Sequence, residues 1–354
     1  MTTRAHKGRG AVSAPLGRFE RRPVELDPDA AHEKAAQAPQ TVLRAMQAGQ
    51  VISTNSSPDI PFDRSINPYQ GCEHGCIYCY ARPSHSYLDL SPGLDFETQI
   101  YYKPNAATRL LEAWEKKSYE CKPITIGANT DPYQPAEKSL ELTRQLLEMF
   151  VEYRHPVNII TKSNLIARDL DLLADLAADD LCSVAISIPT MEDDLKRVME
   201  PRVPSATSRL KAMQLLAENG VPTSALLAPI IPAINDHEME SILEAVAGAG
   251  ANQAHYIFLR LPHELSEIFS AWLQTHFPDR KDRVLSLVRQ ANGGLTYDAR
   301  FGVRQTGRGA YADMLASRFH VAGRKLGLAA SSYQHSLDCT RFSKPGQKQF
   351  DLAF

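Results

Sequence analysis

The chain has 354 residues, of which 43% are hydrophobic and 23% charged, values that exclude collagenous, coiled-coil and wholly disordered proteins. This length suffices for one large α/β barrel or for two ordinary domains, each able to bury a core. With 39 basic against 41 acidic side chains the net charge is −2, so no global charge marks a polyanion binder, and six cysteines are too sparse for a disulfide-stapled scaffold.

Residues 1–24 read as a basic tail. Up to residue 22, six basic side chains (Arg4, Lys7, Arg9, Arg18, Arg21, Arg22) face one acid, Glu20, in a stretch without apolar periodicity, which predicts disorder. The opening residues contain no apolar leader, and the richest apolar run, Ala225 to Ile234, is broken by Pro229 and Pro232. A cytoplasmic protein without membrane contact is therefore expected. Residues 25–59 form an N-terminal extension. Ile66 to Gly71 is strand-like and leads into Cys72-Glu-His-Gly-Cys76-Ile-Tyr-Cys79.

From 120 to 260 short β-branched runs alternate with helical patterns. Ile124–Ala128 reads as a strand and Glu137–Val151 as a helix. Val157–Thr161 is the next strand, followed by a helix around Arg168–Ala178, the strand Ser183–Ile188, and a helix from an N-cap at Ser205 to a terminating Gly220. Pro222–Ala228, a helix from Asp236 to about Ala249, and the strand Ala254–Leu259 complete the series. Such alternation predicts right-handed parallel βα units with active residues at the carboxyl ends of the strands. Chemistry is thus expected at Asn129-Thr130-Asp131, Lys162-Ser163, Pro189-Thr190 and Pro229. Beyond the barrel, residues 300–348 hold nine basic residues and two acids, so the near-neutral total hides a cancellation between regions.

The C-x3-C-x2-C loop is the strongest local signal. Three thiolates on one tight loop can hold three irons of a cubane cluster and leave the fourth open to a small ligand. The alternative is zinc, with His74 or His85 as a fourth ligand. Cys121 and Cys182, at predicted strand starts, read as small buried hydrophobes. Cys339 reads as a bystander, with an approach to the barrel's open side as its alternative.

These residues resemble the radical SAM superfamily, whose signature is this loop with an aromatic residue, here Tyr78, before the last cysteine. Asn129-Thr-Asp-Pro-Tyr-Gln-Pro-Ala-Glu137, Thr161-Lys-Ser163, Ser187-Ile-Pro-Thr190, Glu200-Pro-Arg202 and Ala228-Pro-Ile-Ile-Pro-Ala-Ile-Asn-Asp236 are similar to the spore photoproduct lyase-related branch, most closely its large uncharacterised group. The resemblance implies an α/β fold: a partial (β/α)6 TIM-type barrel over 60–262, with N- and C-terminal extensions and a helical, basic closing segment over 263–354. It implies a [4Fe–4S] cluster and S-adenosylmethionine, cleaved reductively to methionine and a 5′-deoxyadenosyl radical that takes hydrogen from a substrate, the protein orienting groups and excluding water. Cys72, Cys76 and Cys79 match the cluster ligands, and Tyr78 matches the position beside adenine. Thr130, Lys162 and Ser187 fall where that branch has polar contacts to S-adenosylmethionine, and Asp131 is a candidate partner of the methionyl ammonium. Tyr78 and Tyr80 flank the third cysteine and are candidates for hydrogen-atom relay. An electron donor such as a flavodoxin or ferredoxin is also implied. The lyases carry a hydrogen-donating cysteine three residues before the aspartate matched to Asp131; this chain has Ala128 there, which argues against repair of the spore thymine lesion.

Other groups carry two readings each. Glu200 and Arg202 either contact ribose or carboxylate or simply pair. Glu137 suits a helix N-terminus without any catalytic role, with a functional part after the Pro-Tyr-Gln-Pro segment as its second reading. His255 reads as packed in the last strand, His237 as exposed. In Tyr297–Tyr311, arginines among glycines and aromatics suit a nucleic acid or a phosphorylated small molecule as substrate; alternatively, Arg300, Arg304 and Arg308 pair with acids and close the barrel. The competing function is a zinc- or iron–sulfur-containing nucleic-acid-binding protein without radical chemistry.

Overall fold

The computed structural model describes residues 5–19, 39–328 and 337–346. Its strands are β1 (Val42–Ala45), β2 (Ile52–Thr54), β3 (Arg64–Ile66), β4 (Tyr69–Gln70), β5 (Gln99–Tyr102), β6 (Ile124–Ile126), β7 (Val157–Thr161), β8 (Cys182–Ser187), β9 (Thr223–Ile230) and β10 (Gln253–Phe258). Seven of them form one sheet in the order β10-β9-β8-β7-β6-β3-β2. Pairing is parallel from β3 to β10, and β2 adds antiparallel to β3. The six parallel strands are those of a partial (β/α)6 barrel, whose open side lies between β10 and the β2–β3 edge. A smaller sheet, β1-β5-β4, stands beside it.

Near-continuous apolar runs explain why the strands are buried on both faces. In β8 only Ser183 is not fully buried. The helices Leu142–Glu152, Ala206–Glu218 and Met239–Gly248 cover the outside, the first through Leu146, Leu147 and Phe150. Ser205 caps its helix as expected, its Oγ accepting from the Ser208 amide at 3.2 Å. Register sets the strand ends level: Ile126 pairs with Ile159, and Thr161 with Ile186. Residues following β6, β7 and β8 therefore meet at one mouth.

Three expectations change. The helix expected over 137–151 is two helices, Glu137–Leu140 and Leu142–Glu152, separated by Glu141 at φ +49°. Ile66–Gly71 is not one strand, because Asn67-Pro68 divides β3 from β4 and sends them to different sheets. Residues 5–19, expected within a disordered tail, pack instead, with Ala11 and Val12 in the main core. The rest of that tail, residues 25–38 of the extension, and 329–336 and 347–354 of the closing segment lie outside the described residues. Among the described residues no helix is long and apolar enough to cross a membrane.

Candidate active site

The cysteine loop leaves β4 through two turns at left-handed glycines, Gly71 (φ +82°) and Gly75 (φ +67°), where a side chain would be strained. Backbone bonds pin it: the Cys72 amide donates to Phe96 O (2.9 Å) and the Ile77 amide to Met199 O (3.0 Å). All three cysteines are free thiols, Cys72 and Cys76 buried and Cys79 partly so. Burial, then the nearby Glu200, pushes the Cys76 thiol well up, and Lys162 opposes this. Burial likewise raises Cys79.

A tetrahedral zinc with Zn–S near 2.3 Å would bring its sulfurs to about 3.8 Å of one another. Among the described residues, the one group of three or more His, Cys, Asp and Glu ligand atoms lying within 4.8 Å of one another is Glu192, His237 and Glu238, and the three loop sulfurs do not form such a group. Each expected fourth ligand has a polar neighbour at one ring nitrogen, while Nδ1 of His85 has no hydrogen-bond partner among the described residues. His85 places Nε2 3.0 Å from Gln99 O, and burial lowers its pKa to about 4. His74 Nδ1 lies 3.3 Å from Asp131 Oδ2. Burial alone would keep that ring neutral; Asp131, with Cys72, overcomes it and raises His74 to about 10.

Asp131 is correspondingly spoken for. Its carboxylate accepts from the Tyr133 amide (2.9 Å), Thr161 Oγ1 (2.7 Å) and the Lys162 amide (2.7 Å), and faces His74. Although burial opposes ionisation, these partners, His74 foremost, hold it at about 2. With both oxygens occupied, Asp131 braces the cysteine loop against β7 and offers no open charge to an ammonium. Thr130 also turns inward, its hydroxyl donating to Tyr69 O at 2.8 Å. Glu137 is fully buried beneath the site, accepting from Tyr69, the Thr143 amide and Arg168, which supports its helix-terminal reading.

Around the loop's inner face the structure joins residues that the sequence left apart. The Tyr78 hydroxyl donates to Glu200 Oε1. Glu200 Oε2 pairs with Arg209 Nη2 at 2.8 Å, both side chains being fully buried, and Arg209 Nη1 donates to Ser187 O at 2.7 Å. The Ser187 hydroxyl is 3.3 Å from Ala228 O. Lys162 Nζ stands 5.8 Å from the centre of the Tyr78 ring and makes no hydrogen bond or ion pair among the described residues. Glu200 thus pairs internally, while Arg202 binds Glu73 at 3.2 Å on the loop's far side. Arg209 escaped notice because nothing in a helical sequence pattern marks an arginine for full burial. The same holds for Asn235, whose amide ties Pro189 O (2.7 Å) to Pro229 O (2.9 Å) behind two strand ends.

Toward the open side, the Tyr80 hydroxyl donates to Ala128 O, and the Arg260 guanidinium lies over both the Tyr80 ring (5.4 Å) and the Tyr297 ring (5.8 Å). Arg304 binds Asp59 at 2.6 Å, and the Gly302 amide donates to the same carboxylate at 2.7 Å, joining the segment after β10 to the β2–β3 loop. Arg300 pairs with Asp298. Arg308 makes no ion pair among the described residues and the partner of Arg300 lies within the same segment, so of the three arginines only Arg304 carries the barrel-closing reading of Tyr297–Tyr311. Cys121 and Cys182 lie at the amino ends of β6 and β8. Cys339, for which an approach to the open side was the alternative, instead contacts Cys121 at that far end, where the Asp338 amide donates to Asp180 O (3.0 Å). His237 is exposed on Glu192, and burial lowers His255 as expected for a packed ring.

The description of the radical SAM superfamily matches residues 66–246. Protein Rv2578c of Mycobacterium tuberculosis is 34% identical over 233 residues, covering 65% of this chain and 68% of that protein. Protein MJ0683 of Methanocaldococcus jannaschii is 31% identical over 217 residues, covering 60% and 76%. A mutant spore photoproduct lyase superposes with a TM-score of 0.60 at 15% identity, over 88% of this chain and 87% of that one, a likeness of fold.

Proposed function

The chain belongs to the radical SAM superfamily and is a radical SAM enzyme, and on that premise we propose that Cys72, Cys76 and Cys79 hold a [4Fe–4S] cluster whose fourth iron takes S-adenosylmethionine. The observation that carries this is the set of three free thiols on one pinned loop at the carboxyl ends of parallel strands. Once bound, the pair supplies an electron and a breakable carbon–sulfur bond, yielding methionine and a 5′-deoxyadenosyl radical. Tyr78, held by Glu200, fixes the aromatic wall beside the adenine. Lys162 contributes a cation that makes no hydrogen bond or ion pair among the described residues, favouring the carboxylate or ribose oxygens of the ligand. Ser187 lines the next strand end, and Thr130 shapes the floor through its bond to Tyr69. Tyr80 stands between the third cysteine and the open side, where a substrate enters, and its hydroxyl, which donates to Ala128 O, is the candidate for hydrogen relay. Ala128 in place of a thiol, and the location of Cys121, Cys182 and Cys339 away from the mouth, support a reaction other than repair of the spore lesion. The electron donor is a flavodoxin or ferredoxin.

Anaerobic reconstitution with iron and sulfide, followed by EPR of the reduced protein with and without S-adenosylmethionine and chromatography for 5′-deoxyadenosine, tests the reading. A brown protein with a ligand-sensitive spectrum is expected. A zinc-only protein, or a reduced spectrum indifferent to S-adenosylmethionine, would overturn it.

A further inference from the structure

The underside of the cysteine loop is built from residues that have no part in the reaction described above. Arg82, fully buried three residues after Cys79, spreads its guanidinium beneath the loop. Nε donates to Cys76 O (2.9 Å), Nη2 to Gly75 O (3.1 Å), and Nη1 to Gly93 O (2.9 Å). Its charge is matched by Glu97, also fully buried. Glu97 in turn accepts from the Gly10 amide (3.0 Å) and the Ala11 amide (2.8 Å), and its own carbonyl accepts from Arg9 Nη1 (2.7 Å). A β-carbon placed on Gly10 would stand 1.9 Å from Gly75 O, and one on Gly93 2.2 Å from Ser13 O. The segment then runs on: Ser91 Oγ donates to Pro15 O (2.7 Å), and the Arg18 amide donates to Glu264 Oε1 (3.1 Å), just beyond β10.

We propose that residues 9–13, acting through the buried Arg82–Glu97 pair, are positioning residues for the metal cluster: they hold the Gly75 and Cys76 carbonyls on the guanidinium and so set the loop before any iron arrives. This rests on the cluster reading above. The physical reason is electrostatic. An anionic thiolate cluster is disfavoured by carbonyl oxygens directed at it, and hydrogen bonding around the sulfurs tunes its potential. A planar guanidinium fork spans several carbonyls at once, which a lysine ammonium cannot do. Glu97 links that fork to the Gly10–Ala11 amides, and Gly10 itself packs against Gly75 O, so the amino-terminal segment is part of the cluster site's framework although it lies far away in sequence.

The test uses the full chain, first without metal. In the apo-protein, hydrogen exchange should protect the amides of residues 10–11 and 75–77 as one unit. Slow exchange at 10–11 with unprotected amides at 75–77 would overturn the proposal without any variant. Gly10→Ala should raise exchange at residues 75–77 at least tenfold and lower iron uptake on reconstitution to below half. Arg82→Lys, which keeps the charge opposite Glu97, should loosen the same amides and shift the reduction midpoint of the cluster that forms. Ala14→Ser, exposed in the same segment, should change neither readout. Wild-type exchange and wild-type iron content in Gly10→Ala would refute the positioning role. Failure of the wild-type chain to take up iron would instead sink the cluster reading, leaving the exchange result to judge the loop.

Discussion

Replacing Arg209 by methionine isolates the buried charge pair behind Tyr78. Arg209 and Glu200 are both fully buried and 2.8 Å apart, so the substitution leaves a carboxylate without its counter-charge. Breaking one side of such a pair costs about 3–5 kcal/mol. Ser187 O also loses its donor at 2.7 Å, adding about 1 kcal/mol. At roughly 2.1 cal/mol/K of unfolding entropy per residue, 354 residues give about 0.74 kcal/mol/K, so a loss of about 4–6 kcal/mol lowers the midpoint by about 5–8 °C. The double variant Arg209→Met with Glu200→Gln removes the stranded charge and keeps an acceptor for the Tyr78 hydroxyl. It should therefore be more stable than the single variant by about 2 kcal/mol or more. Thermal and urea unfolding of the three proteins in one buffer read this directly. Equal losses in the single and double variants, or a single-variant loss below about 1 kcal/mol, would refute the claim that the pair is a closed internal unit.

Alanine at Cys72, Cys76 or Cys79 should each abolish the iron chromophore on reconstitution, whereas alanine at Cys182 should retain full iron content, as measured by metal analysis. Lys162→Met removes the cation that opposes the raised Cys76 and Cys79 thiols, and should move the cluster's reduction midpoint negative by on the order of tens of millivolts in a redox titration. Glu240 lies below its ordinary pKa because Arg318 donates to it at 2.6 Å. The stability from this contact is present above the ordinary glutamate range and is lost as pH falls through the lowered folded value. Unfolding free energies of wild type and Arg318→Gln from urea titrations should therefore differ at pH 7, by no more than about 1 kcal/mol for a pair this exposed, and the difference should shrink as Glu240 protonates.

The parallel βα series was legible because buried strands advertise themselves as β-branched runs, and β7 matches its expected bounds, Val157–Thr161. The cysteine spacing likewise placed the loop. The break at Glu141 was not legible, since both sides share one helical stripe; only Glu137, fully buried and bound to the Thr143 amide, shows why the chain kinks there. Asp131 marked a strand end correctly, yet its occupation by Thr161, Lys162 and His74 depends on register between strands.

Local pattern alone thus determined the α/β architecture, the mouth at the strand ends and the three thiols, because each is set by spacing along a few residues. Partnership across the fold was decided only by tertiary structure. A charged side chain gives no local sign of whether it will be solvated or buried against its opposite. So Arg82 and Glu97 beneath the loop, Glu200 and Arg209 behind Tyr78, and the packing of a basic N-terminal segment that composition assigns to solvent emerge only when distant segments meet. The net charge of −2 said nothing of these pairs, since buried ions of opposite sign cancel in the count as surface ones do.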